Sequence, residues 1–122
     1  MTGGETLHEL TAAGEGPIHP IDPRMDREPA GSLLLARAAA IRNATREALR
    51  QVAVPLAAQI GPTVVALVER DLVPRSTDFV HHRQILAESR TDPSPQGAQY
   101  RVEILVVLDL RALHIELARL RR

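Results

Sequence analysis

The sequence predicts an α+β protein: an extended N-terminal arm, one or two amphipathic helices, a β-hairpin or small antiparallel sheet, and a C-terminal helix. Three observations carry that prediction. Five of the seven glycines and four of the nine prolines fall in residues 1–31. From residue 32 apolar residues recur at helical spacing, and from Tyr100 to Leu110 they alternate at period two. The chain therefore divides into an arm, 1–31, and one compact domain, 32–122, a division suited to a length of 122 residues.

In the arm, Gly16-Pro17-Ile18-His19-Pro20-Ile21-Asp22-Pro23 cannot propagate a helix. Each proline lacks a donor and restricts the residue before it. The stretch reads as extended and polyproline-like, with a short helix at Glu5–Ala13 as the alternative for its first part. The arm holds six carboxylates against two arginines, net −4, which leaves +4 on the rest of this neutral chain. It is expected to be flexible, or to lie on a basic surface of its own domain or a neighbour.

Ser32 is placed to cap a first helix whose stripe is Leu34, Ala38, Ile41, Ala44, Ala48 and Val52, with Leu49 beside it. Pro55 is expected to kink or break this helix, and Gly61-Pro62 to stop it and start the next. Thr63–Leu72 carries Val64, Leu67, Val68 and Leu72 at helical spacing, with a strand as the rival, and Pro74 should end it. Thr91–Gly97 is a dense turn signal between two strand candidates, Asp78–Ser89 and Tyr100–Leu110. In the second, Val102, Ile104, Val106, Leu108 and Leu110 share one face, with Leu105 and Val107 on the other. A strand apolar on both faces belongs in a sheet interior or under another subunit. Leu110, Leu113, Leu117 and Leu120 then return to helical spacing. One long helix from Gln99 to Arg121 ranks second, because it would bring Asp109 near the apolar stripe.

Composition excludes several function classes. With no cysteine, disulfides and thiolate metal sites are ruled out. Zero net charge provides no global field to draw in DNA or an anionic membrane. Met1–Glu5 has neither the basic nor the apolar part of a signal peptide, and no apolar run approaches the ~18–20 residues of a membrane helix. The expected location is the cytosol, or an assembly built there. All fifteen basic residues are arginine, and aromatic residues are limited to Phe79 and Tyr100, so the core must be aliphatic.

No motif assigns a catalytic, cofactor-binding or metal-binding residue. His8, His19, His81, His82 and His114 do not cluster as ligands must, and adjacent strand residues such as His81 and His82 face opposite sides. Ser32, Ser76, Ser89 and Ser94 lack a nucleophile context. Glu103 and Asp109 stand roughly 20 Å apart along a strand, too far to act on one bond; an ion pair from Glu103 to Arg83 across the hairpin is the expectation instead. Gly14-x-Gly16 and Gly61-Pro62-Thr63 are not phosphate loops.

The positive signal is surplus apolar surface. Leu33 through Ile41 is apolar around most of the helix, and a small domain has few elements with which to cover it. An interface is expected at Ile18, Ile21, Leu33, Leu35, Leu105 and Val107. The functional expectation is a non-enzymatic structural or assembly subunit that forms a homo-oligomer, its arm contacting a neighbour. In its order of helices then hairpin the chain resembles small phage neck or tail-completion subunits, in architecture alone and with no shared motif. The rivals are an adaptor binding one protein partner, and a nucleic-acid-binding protein using Arg42, Arg46 and Arg50 as an exposed ridge.

Overall fold

The computed structural model describes residues 6–18, 30–91 and 98–121. The architecture is α+β: a three-stranded antiparallel sheet with a long helix on one face and a shorter helical layer beside it. In chain order the elements are β1 (Leu7–Pro17), α1 (Ala30–Ile60), α2 (Pro62–Leu67), β2 (Val80–Thr91), β3 (Gln99–Asp109) and α3 (Leu110–Leu120). Between α2 and β2 the chain stays helical, as a π-helix over Val68–Leu72 and a 3-10 helix over Val73–Phe79. The sheet order is β1-β3-β2.

The hairpin of β2 and β3 matches the sequence expectation, as does the switch from strand to helix at Leu110. The turn expected at 91–97 falls mostly outside the described residues, but its flanks pair, Thr91 opposite Gln99. Asp109 fixes the switch. Its backbone is extended and its carboxylate accepts a hydrogen bond from the Ala112 N–H at 3.1 Å, which caps α3. The long-helix alternative is thereby replaced. Central position explains the two apolar faces of β3. Val102, Ile104, Val106 and Leu108 are fully buried beneath α1, and Leu105 and Val107 are half-buried on the other face.

The first part of the arm is a correction. Leu7–Pro17 is neither a free extension nor a short helix; it is an edge strand in unbroken register with β3, from Leu7 opposite Asp109 to Pro17 opposite Gln99. Ile18 follows it, buried, with its N–H donating to the Ala98 carbonyl at 3.0 Å. Ladder hydrogen bonds and contact with α1 hold this segment to its own domain. Of the rest of the arm, residues 1–5 and 19–29, including Ile21, lie outside the described residues.

Glycines that look like helix breakers in the sequence set this packing. Gly14 and Gly16 face α1 from β1. A Cβ on Gly14 would overlap the Ala44 amide nitrogen and the Ala40 carbonyl, and one on Gly16 would overlap the Ala36 carbonyl. Opposite them α1 presents Ala36, Ala40, Ala44 and Ala48, all buried, at four-residue steps. The smallest side chains of helix and strand thus meet, so the two backbones approach closely. The buried stripe is rotated from the expected one: Ala44, Ala48 and Leu49 are buried, but Ala38 and Leu34 are exposed.

α1 continues through Pro55 to Ile60. Pro55 is on the exposed side, where the carbonyl it leaves without a donor is open to water. Buried Ala53 and Ala57 on either side hold both halves to the core. Nor does Pro74 end the next segment; it sits in the first turn of the 3-10 helix, where no donor is needed, and the backbone leaves helical geometry at Arg75. Val64, Val68, Leu72, Val73 and Phe79 from this layer complete one core with Leu49, Leu113 and Leu117.

Candidate functional site

α1 packs its length over β1 and β3 and leaves β2 largely uncovered. From His81 to Arg90 every residue but the half-buried Ile85 is exposed, including Leu86. The outer edge of β2 pairs with nothing among the described residues. A twelve-residue strand open on its edge and faces is uncommon in an isolated domain, because its unmet backbone groups offer a template for another chain.

Register with β3 fixes which side chains share a face. Arg83 and Ile85 stand beside Val106 and Ile104, and Glu88 and Arg90 beside Val102 and Tyr100, all on the α1 side. His82, Gln84, Ala87 and Ser89 stand beside Val107, Leu105, Glu103 and Arg101 on the opposite side. The register slips between Ile85 and Ala87, so residues 83 and 88, odd in spacing, point the same way. The expected ion pair from Arg83 to Glu103 is therefore absent: the two residues lie on opposite faces.

Two polar clusters bridge α1 and β2. At one end Arg37 Nε donates to Glu88 Oε1 at 2.6 Å, and the Tyr100 hydroxyl donates to the same oxygen at 2.7 Å. The hydrogen bond from Arg37, reinforced by that from Tyr100, holds the Glu88 carboxyl below the usual glutamate range. The same bond to Glu88 raises the Tyr100 hydroxyl above its ordinary value. At the other end Arg83 Nη1 donates to Thr45 Oγ1 at 3.1 Å, and the Thr45 hydroxyl donates to the Ile41 carbonyl at 2.8 Å.

Between α1, the 3-10 helix and β2 is a hollow of about 350 Å³. Arg42, Arg46 and Arg83 line it, with Thr45, Ser76 and Thr77 as polar neighbours. Ile41, Ala38 and Pro74 supply its apolar wall. Arg46 Nε is buried without a hydrogen-bond partner among the described residues. The expected ridge of Arg42, Arg46 and Arg50 is thus divided. Arg42 and Arg46 join Arg83 in the hollow. Arg50 turns away to Glu69 at 3.0 Å, with Glu47 at 3.6 Å. Arg83 is the member that sequence reasoning missed, because only the strand register brings it across to α1.

The expected interface residues do not form one patch. Ile18 is buried in its own domain. Leu33 is half-buried and Leu35 is 74% exposed beside Leu34, near the start of α1. Leu105 and Val107 lie on the sheet face away from α1, bracketed by Thr11 and Gln84 and by Glu9 and His82. Among the described residues no three His, Asp or Glu side chains are grouped to hold a metal ion, and no helix is long and apolar enough to cross a membrane. No protein-family model matches the sequence, and no curated protein matches it, so the reading of this site rests on its own residues and geometry.

Proposed function

We propose that the protein is a non-enzymatic assembly subunit that forms a homo-oligomer by pairing β2 with β2 of a second copy. The uncovered strand carries this reading. An antiparallel two-fold pairing centred between Ile85 and Leu86 would set Arg83 opposite Glu88 of the partner subunit, and Glu88 opposite the partner subunit's Arg83. The same register would set Gln84 opposite Ala87 and His82 opposite Ser89. In a regular strand residues 83 and 88 would face opposite sides and could not be matched this way. The slip between Ile85 and Ala87 brings them onto one face. Opposite charges directly across a strand pair attract, and an isologous contact of this kind needs no second type of surface. The result would be a continuous six-stranded sheet with both open β2 edges covered.

Light scattering on the full chain tests the proposal. The expected mass is twice that of the 13.4 kDa chain. Arg83→Glu would place two carboxylates opposite each other and shift the mass to that of one chain. Adding Glu88→Arg would restore the attraction with its sign exchanged and return the dimer. A wild-type monomer at high micromolar concentration would sink the reading and favour an adaptor whose β2 is completed by a different protein. A dimer indifferent to Arg83→Glu would place the contact elsewhere.

A further inference from the structure

We infer that the arginine-lined hollow binds a phosphate group, as the free ion or as the terminal group of a small phosphomonoester. The hollow is formed by residues of one chain; the proposed pairing of β2 would bring Glu88 of the partner subunit to Arg83 and leave Arg42 and Arg46 uncompensated. Among the described residues three arginines line it and no carboxylate does. Several arginines elsewhere are matched: Arg37 with Glu88, Arg50 with Glu69, Arg70 with Asp71 and Arg101 with Glu15. Among the described residues, Arg42, Arg46 and Arg83 have no carboxylate partner. Clustering like charges around a concavity is unfavourable unless an anion joins them, and guanidinium is the side chain best shaped for phosphate oxygens.

The details favour phosphate over a carboxylate. A single carboxylate carries one negative charge, whereas a phosphate dianion carries two, enough to match both Arg42 and Arg46, and offers oxygens in three directions. Among the described residues Arg46 Nε is a buried donor without a partner, a costly condition for a guanidinium beside the hollow. Arg83 is held in place by its bond to Thr45, which spends one of five donors and leaves four. The hydroxyls of Ser76 and Thr77 on the wall can donate as well. A terminal phosphate fits a hollow of about 350 Å³. The phosphodiester of a nucleic-acid strand carries a single charge and a sugar on each side, so it suits this depth less well.

Isothermal titration of the full chain at fixed ionic strength tests the inference, using inorganic phosphate, glycerol 3-phosphate, acetate and a short oligothymidylate. Saturable binding of phosphate or glycerol 3-phosphate is expected, with no comparable binding of acetate. Arg42→Gln and Arg46→Gln should each weaken it at least ten-fold, about the loss of one charge-assisted hydrogen bond. Arg50→Gln, outside the hollow, should leave it unchanged. Arg42 is exposed on the helix, so its variant keeps the fold even if that of Arg46 does not. Equal binding of acetate, or phosphate binding insensitive to Arg42→Gln, would overturn the inference. So would binding of oligothymidylate with none of the two small phosphates.

Discussion

Gly14→Ala adds one methyl group where the structure has no room for it. The new Cβ would overlap the Ala44 nitrogen and the Ala40 carbonyl, which are backbone atoms of α1 and cannot rotate aside. Relief requires α1 to lift from β1 as a unit, which loosens Ala36, Ala40, Ala44 and Ala48 together. Overpacking a core costs about 1–3 kcal/mol, and a clash with backbone belongs at the top of that range. Stiffening of the unfolded chain returns roughly 0.4–1 kcal/mol. The net loss is then about 2 kcal/mol, and with a urea dependence of about 1–3 kcal/mol/M the unfolding midpoint should fall by roughly 1 M. Gly16→Ala should behave alike, since its Cβ would overlap the Ala36 carbonyl. Gly61→Ala is the control: a Cβ there meets nothing within 4 Å and the backbone is extended, so the midpoint should hold or rise slightly. Urea unfolding followed by far-ultraviolet circular dichroism measures all three. If Gly14→Ala and Gly16→Ala unfold at the wild-type midpoint, the close approach of β1 and α1 is wrong.

Two further outcomes follow from particular hydrogen bonds. Asp109→Ala removes the cap of α3 and should cost about 1 kcal/mol, while Asp109→Asn or Asp109→Ser should retain most of the stability, as thermal unfolding would show. Glu88 has its carboxyl pKa lowered from 4.5, so its contribution is complete above that value and is lost as pH falls through its folded pKa. The stability advantage of wild type over Glu88→Gln should therefore be present at neutral pH and shrink in urea titrations as pH falls below 4.5.

Those elements whose signal is local could be read in the sequence. The alternation of Val102, Ile104, Val106 and Leu108 and the leucine spacing of α3 each describe a face that needs no knowledge of its partner. The edge strand β1 could not be read that way, because Gly14, Gly16 and Pro17 are poor strand formers taken alone. Glycine is favoured there by the helix above it, and that relation spans the 28 residues separating Asn43 from the Glu15 carbonyl it hydrogen-bonds at 2.8 Å. The stripe of α1 was misplaced for the same reason. Hydrophobic spacing gives weight to Leu34 and Ile41, whereas the observed contact selects for smallness. Of the candidate site, Arg42 and Arg46 were visible as helix neighbours, but Arg83 joins them only through the register of the hairpin.

Small residues on β1 also account for the shape of the functional surface. A helix seated on Ala12, Gly14 and Gly16 approaches one side of the sheet more closely than any seat on larger side chains would allow. That seat draws the axis of α1 towards β1 and β3, away from β2, where Arg83, Glu88 and Arg90 face the same side. The uncovered strand and the hollow beside it are thus consequences of one packing choice. Filling the seat at Gly14 should disturb the hollow as well as the core, and replacing arginines in the hollow should leave the seat intact. Measured together, the two sets of variants would separate damage to the scaffold from loss of the site. Phosphate affinity should fall in both, but the urea midpoint should fall only when the glycines are changed. A fall in midpoint with Arg42→Gln comparable to that with Gly14→Ala would mean that the arginine supports the fold, and the hollow would lose its claim as a site.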